Sequence, residues 1–471
     1  MRSQKAALEE LAHNINRLQP FHPGSLILNE QHFYQNSILL GWSQKNAHPV
    51  TLRHLANFGR KMTSEKILAS ANFVRTELPI RLSLKIKELQ SLPYQVISNY
   101  HLNQVYQSYY HCFNAFRRVE KIETLEDNED FCDFVKNMLD DHLIVLPHLM
   151  MGALEVSILK IMSQSDLDKF MSSMVRSRIS RRVIMDQHTS MSKTFMESLR
   201  LQKDDDGGDN DIKPPDYIGE AFQLCSTHEH LKLSYNMIIN FLQGLYPNMQ
   251  MPELVINGDD LKFQFMTNHL SYIFTEILRN SLRSTIEQFI KLNGRDRGFA
   301  QMSPPPVCVE ITDTKYEMTF KISDQGGGIP LEKLESVWSF GKSPELAKRY
   351  LDSFHALPGL DLPTRLPIIE HQYFQKRSEH EMKRPEKLAG MLDNIGQMEM
   401  SSSQNKNSML KSLASRPFEY TLGVSLPMCK VYTDYWNGVL EMCSVEGYGS
   451  DVFLKLQKLG HRDERLQLDK A

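Results

Sequence analysis

Between residues 269 and 287 the chain reads HLSYIFTEILRNSLRSTIE, which sets Glu276, Asn280, Arg283 and Glu287 along one stripe of an amphipathic helix. Further on, ISDQGGGIP (Ile322–Pro330) reads as a strand that ends on Asp324 and runs into a triple-glycine turn. The amide carbonyl of Asn280 suits a hard divalent cation, which keeps waters and substrate phosphates among its ligands. Glu276, one turn earlier, suits removal of a proton from a hydroxyl near that cation. The Asp324 carboxylate could accept a hydrogen bond from a purine amino group, and Gly326–Gly328 would bring backbone close to a ligand. A third element, EYTLGVSLPMCKVY (Glu419–Tyr432), passes through Leu422-Gly423-Val424-Ser425 into a helix whose free N–H groups could hold phosphate oxygens. Each element alone also fits a plainer reading: a solvated helix face, a glycine turn after a strand, a glycine before a helix. Taken together, in this order, they describe a nucleotide site built on a helix rather than on a phosphate-wrapping loop.

The elements that must position these residues fall into two blocks. From about Leu52 to Arg200 the pattern is helical and nearly free of glycine. FCDFVKNMLDDHLIVL (Phe131–Leu146) and MVRSRISRRVIMDQHTSM (Met174–Met191) each space apolar residues for one helix face. Such helices with short polar breaks predict an antiparallel bundle. The acidic, proline-closed stretch KDDDGGDNDIKPPD (Lys203–Asp216) reads as a linker. Beyond it Tyr217–Tyr246 is expected to be helical, and Glu253–Ile256 and Leu261–Met266 to be short strands. VCVEITD (Val307–Asp313) and MTFKISD (Met318–Asp324) alternate at period two and predict a hairpin, as do VLEMCSV (Val439–Val445) and DVFLKL (Asp451–Leu456). Strands and helices in blocks predict an α+β sandwich. The polar stretch 341–417, with SSSQNKNS (Ser401–Ser408), reads as a lid without regular structure of its own. The expected organisation is an N-terminal extension and candidate targeting segment (1–50), a helical domain (51–202), the linker (203–216), a nucleotide domain (217–460) and a tail (461–471).

At 471 residues, with a hydrophobic share of 41% and a charged share of 24%, the chain has the composition of an ordinary globular protein of two or three domains. A net charge of −3 provides no global field to attract nucleic acid or an anionic membrane. The 6 cysteines are scattered without a C-x-x-C pair, which favours free thiols in a reducing compartment over a disulfide scaffold or zinc site. No membrane span is expected. The N-terminal Arg2, Lys5 and Arg17 suit an organelle transit peptide, but Glu9 and Glu10 do not.

The order E-x-x-[RK]-N, D-x-G-G-G, a glycine-bearing loop into a helix, and E-G-x-G-[ST]-D resembles the Bergerat-fold ATPases. Within them the chain is similar to the mitochondrial 2-oxoacid dehydrogenase kinases, through FVRTELPIRLSLKIKELQSLP (Phe73–Pro93), RSRISRRVIMDQHTSM (Arg176–Met191) and VEGYGSDVFLKL (Val445–Leu456). The resemblance runs from about Thr51 to Leu456 and identifies a divergent member of fungal type. It implies a helical bundle joined to a Bergerat-type α/β sandwich that binds ATP and Mg²⁺. It implies phosphorylation of the E1α subunit of pyruvate dehydrogenase, with branched-chain 2-oxoacid dehydrogenase as the alternative substrate. It further implies docking on the lipoyl-bearing E2 core, a homodimer, a companion paralogous kinase, and the mitochondrial matrix. On this analogy Glu276 is the general base, Asn280 holds Mg²⁺ and Asp324 reads adenine. Gly326 and Gly328 shape the adenine pocket. Thr421, Leu422, Gly423, Val424, Ser425 and Leu426 cover the phosphates, with Arg279, Arg283 and Ser343 nearby.

The chain departs from the family at several of these positions. Arg279 stands where a lysine is usual, Tyr272 where a histidine precedes the base, and the glycine loop keeps only its middle member, Gly423. If Thr421 and Ser425 sat at positive φ, each side chain would strain the loop. A reading of another class, an ATP-binding regulator or scaffold with little catalysis, therefore stands beside the kinase. His142 lies near a position that the family uses for effectors, although a helix histidine is more often structural. Arg176, Arg178, Arg181 and Arg182 could form a site for a carboxylate effector or simply a solvated helix face.

Overall fold

The structure is a computed structural model, and it describes residues 30–51, 62–143, 145–202, 221–247, 249–293, 303–357 and 413–458. The linker 203–216, the run Ser401–Ser408 and the tail 461–471 lie outside these residues, as do the charged residues of the N-terminal segment that bear on targeting.

The N-terminal half is helical, as its apolar periodicity predicts. After α1 (Glu30–Ser43) comes α2 (Ser64–Gln90), whose Thr63 cap accepts from the Lys66 N–H at 3.4 Å. Then follow the short α3 (Tyr94–Ile97), α4 (Tyr100–Phe116), α5 (Leu125–Asp141), α6 (Val145–Leu159) and α7, a single helix over Gln164–Gln202. A reciprocal Thr124–Asp127 capping box starts α5 and satisfies two backbone donors that the first turn leaves free. The expected helix Phe131–Leu146 is in fact two: α5 ends at Asp141, His142 caps it, and α6 begins at Val145. By length and composition the run Leu125–Leu159 could cross a membrane, but 82% of its apolar window is buried inside the fold. It is core, with α2 packed against α4, α5 and α7, and α6 packed against α4 and α7.

The C-terminal half is built around a sheet of order β2-β4-β5-β7-β6. It comprises β2 (Leu254–Asn257), β4 (Val307–Asp313), β5 (Glu317–Asp324), β6 (Val439–Val445) and β7 (Gly449–Gln457). Only the β2–β4 pair is parallel. Both predicted hairpins form, with Val309 opposite Ile322 and Leu440 opposite Leu454. β1 (Gln223–Ser226) and β3 (Lys262–Phe265) make a separate antiparallel pair. The expected helix Tyr217–Tyr246 is corrected here. Gln223–Ser226 is a strand, and α8 (Thr227–Leu245) starts only after Ser226, whose hydroxyl caps it through the Glu229 N–H. α9 (Thr267–Asn293) carries the polar stripe and rests on the sheet, with Phe274 edge-on to Phe320 at 5.1 Å between ring centroids. After the short α10 (Leu331–Leu334), the segment Gly341–Leu357 is not irregular. Pro344–His355 forms α11, which buries Ala347, Leu351 and Phe354 and packs on α6 of the bundle. Last comes α12 (Ser425–Tyr435), which touches both α9 and α7. One continuous apolar core runs through bundle and sheet.

Candidate functional site

The wall of the site is α9. Its apolar residues Leu270, Ile273, Phe274, Ile277 and Leu278 are buried as the periodicity requires, but Glu276 is buried as well, at 0% exposure. The stripe is therefore not solvated throughout: the segment Leu413–Ser425 covers it at Glu276, while Asn280 and Arg283 are half-buried and Glu287 is exposed. Arg416 in that segment forms a two-pronged ion pair with Glu276: Nη1 on Oε1, and Nη2 on Oε2 at 2.9 Å. Burial pushes the Glu276 carboxyl up, but the Arg416 charge and hydrogen bonds, with Arg279 and Ser425, more than offset this and leave it below the ordinary glutamate range. Arg416 was not among the residues the sequence singled out.

Around this pair the other predicted residues converge. The Asn280 amide donates to the Glu276 carbonyl at 2.6 Å, which turns its own oxygen the other way. Arg283 donates to the Thr421 hydroxyl and the Phe418 carbonyl, and its guanidinium lies 4.6 Å from the Phe418 ring centre. Arg279 donates to the Ala414 carbonyl at 2.5 Å, while its Nε and Nη1 are buried without a partner. Burial, with Arg416 beside it, brings the Arg279 pKa down to about 9. The Tyr272 hydroxyl donates to the Met428 sulfur at 3.6 Å.

Asp324 ends β5 as expected and is buried, accepting from the Gly326 N–H at 2.9 Å. Burial raises its pKa against the pull of hydrogen bonds from Gly326, Ser281, Ser450 and Ser284. Gly326 packs so closely on α9 that a Cβ there would lie 2.2 Å from the Ser284 hydroxyl. Gly328 has φ +67° and leaves no room for a Cβ beneath the Val445 carbonyl. The glycine turn is thereby locked to the β6–β7 tip, with Gly327 N–H bonded to the Tyr448 carbonyl at 3.1 Å.

In the loop before α12 only Gly423 has positive φ, at +69°. Thr421 and Ser425 do not, so the lost glycines cost no left-handed strain, and Ser425 simply opens the helix. Leu422 and Val424 are buried and anchor the loop; Leu426 is half-buried. The ring of Tyr350 from α11 fills the place where a Gly423 side chain would stand. Ser343 caps α11 through the Leu346 N–H at 3.4 Å; this is a structural task, and no described contact ties it to the Glu276 cluster.

A second polar group lies inside the bundle. Arg178 and Arg181 are buried, contrary to a solvated face, and with Arg182 and His142 they line a small cavity of about 30 Å³. The Arg181 guanidinium sits 4.3 Å above the Tyr109 ring, and Arg182 pairs with Asp186 at 3.3 Å. Burial and the neighbouring Arg181 bring the His142 pKa down to about 3, so the imidazole is neutral. No group of three or more His, Cys, Asp or Glu side chains among the described residues could hold a metal ion.

A helical bundle joined to a mixed sheet, with a carboxylate and an amide on the wall helix and an Asp-Gly turn after β5, is the Bergerat-type architecture that the sequence predicts. Residues 49–222 match the family model described as mitochondrial branched-chain alpha-ketoacid dehydrogenase kinase. The chain is 37% identical, over 98% of its own length and 93% of the relative's, to pyruvate dehydrogenase (acetyl-transferring) kinase 2, mitochondrial, of Saccharomyces cerevisiae. It is 25% identical to the Arabidopsis thaliana pyruvate dehydrogenase kinase, covering 90% of this chain and 94% of that one. It is 24% identical to human pyruvate dehydrogenase kinase isozyme 3, covering 90% and 86%. The chain belongs to the family of mitochondrial pyruvate dehydrogenase kinases.

Proposed function

We propose that this chain is an ATP-dependent protein-serine kinase that phosphorylates and thereby inactivates the E1α subunit of the mitochondrial pyruvate dehydrogenase complex. One observation supports this most: Glu276, Asn280, Arg279, Arg283 and the start of α12 converge on one buried wall, in a chain similar over nearly its whole length to a yeast enzyme named for this activity. The pyruvate reading is preferred over the branched-chain one because the full-length relatives carry the pyruvate name.

The residues present fit Mg-ATP. The Asn280 oxygen is free of the helix backbone and has the hard-donor chemistry a magnesium ion takes. Arg279 has two buried N–H groups without a partner, which suit phosphate oxygens. Asp324 offers a carboxylate at the glycine turn for a purine amino group, and Gly326 and Gly328 let that turn pack against Ser284 of α9 and the Val445 carbonyl. When bound, Mg²⁺ neutralises charge on the transferring phosphoryl group. Glu276 accepts the proton of the substrate serine hydroxyl, and Arg279 and Arg283 hold the phosphates in line. Catalysis of this kind is mostly positioning and charge neutralisation. The bundle cavity at Arg178, Arg181 and Arg182 suits a small carboxylate effector, since buried guanidinium groups favour an anion.

The same reading places the enzyme in the mitochondrial matrix, docked on the lipoyl-bearing E2 core as a homodimer, alongside a paralogous kinase. The experiment is incubation of the chain with purified pyruvate and branched-chain dehydrogenase complexes and labelled ATP. Phosphoserine in pyruvate E1α is expected; label confined to the branched-chain complex would replace the substrate assignment.

A further inference from the structure

Every N–H donor of Arg416 is engaged. Nε donates to the Tyr420 carbonyl at 3.1 Å, Nη1 to the Leu413 carbonyl at 2.6 Å and to Glu276, and Nη2 to Glu276 and to the Ser425 hydroxyl at 3.2 Å. The guanidinium thus lies between the candidate base and the N-terminal end of α12, the two groups that would flank a transferred phosphoryl. While the pair is closed, Glu276 is fully buried and both carboxylate oxygens are engaged, so no serine hydroxyl can reach it. Three buried or half-buried arginines, 279, 283 and 416, lie by this carboxylate; Glu287 is the nearer counter-charge of Arg283, while Arg279 keeps two buried nitrogens without a partner. An excess of buried positive charge of this kind calls for an anion.

We propose that Arg416 is a phosphate-operated gate on Glu276: the polyphosphate of the nucleotide draws the guanidinium off the carboxylate, and only then is the base uncovered. The inference rests on the nucleotide reading of the site. Arg416 is a positioning residue in this scheme. Arg416 exchanges one charged partner for another, while Glu276, uncovered by the same move, keeps Arg279 beside it and opens to solvent and the substrate hydroxyl.

The test is nucleotide binding to the full chain by calorimetry, with ATP and AMP as probes. Glu276→Gln removes the charge that holds Arg416, so ATP binding tightens at least about five-fold relative to AMP, and Glu276→Gln/Arg416→Gln loses that gain. Arg416→Gln alone lowers the preference for ATP over AMP by at least about five-fold, and Arg416→Lys restores part of it. Should Glu276→Gln fail to fold, the two single Arg416 variants carry the comparison. Equal shifts for ATP and AMP, or a gain that survives in the double variant, overturn the gate and leave the nucleotide site standing. Absence of nucleotide binding by the wild type overturns both.

Discussion

Arg416 holds Glu276 from 140 residues further along the chain, with two guanidinium nitrogens on two carboxylate oxygens and neither side chain exposed by more than 4%. Breaking a buried pair by removing one partner costs on the order of 3–5 kcal/mol, because the remaining charge has no solvent. Arg416→Ala should therefore lower the stability of the nucleotide half by roughly that amount, and Glu276→Gln/Arg416→Gln by much less. Chemical denaturation with separate probes on bundle and sheet measures this; an unchanged midpoint for Arg416→Ala would mean that the pair is not formed in solution.

Asp324→Ala removes the acceptor proposed for the adenine amino group. Hydrogen bonds to a charged group contribute about 1.5–3 kcal/mol, so ATP affinity should fall by roughly ten-fold or more. Calorimetry against ATP and GTP checks this. In the wild type ATP should bind far more tightly than GTP, and the variant should lose most of that difference; a preference for ATP that persists in the variant would place adenine recognition elsewhere.

Gly326→Ala drives a methyl into Ser284, including its backbone at 2.8 Å, so side-chain rotation cannot relieve the contact. Overpacking of this kind typically costs about 1–3 kcal/mol. Ser284→Gly should recover part of the loss. Urea melts of the single and double variants test this; full additivity of the two changes would show that they do not touch.

His148, His188 and His269 are buried and His142 is half-buried, and desolvation brings His142, His148, His188 and His269 down to about 3, 4, 4 and 3. Their folded values lie below the unfolded histidine value near 6.5, so their contribution is fully present above about pH 6.5 and is lost as pH falls toward 3–4. Glu155 acts in the opposite sense: burial raises it to about 7, so its contribution is present below the ordinary glutamate pKa and is lost as pH rises through 7. The thermal midpoint should fall as pH drops from about 6 to 4, where these histidines, joined by His101, whose pKa is also lowered, outweigh Glu155, whose opposing change ends near pH 7. Calorimetry across that range decides it; a midpoint constant down to about pH 4 would contradict the buried neutral histidines.

The two hairpins and α9 were legible in the sequence because their apolar residues repeat at the period of the element, and burial enforces that period. Glu276 was placed on the right helix but in the wrong environment. Periodicity places a polar residue opposite the core, and it does not report a distant segment that folds back to cover it. Arg416 has no motif and sits at the end of a polar run, so only its geometry reveals it. Arg178 and Arg181 were hidden in the same way, since charges on a long helix default to solvent unless another helix closes over them. The strand Gln223–Ser226 abuts α8 directly, with Ser226 serving both, and its pairing with Phe263 and Phe265 is non-local. Helix α11 was lost because its apolar residues lie in a stretch that reads as polar throughout.

The central claim is that Glu276 is the base of a protein-serine kinase, and the most direct measurement is transfer of labelled phosphate from ATP to pyruvate dehydrogenase E1α by Glu276→Gln. The account predicts at least a roughly hundred-fold loss of transfer, the ordinary worth of a general base, with ATP still bound. Phosphorylation of the serine at the wild-type rate by that variant would contradict it.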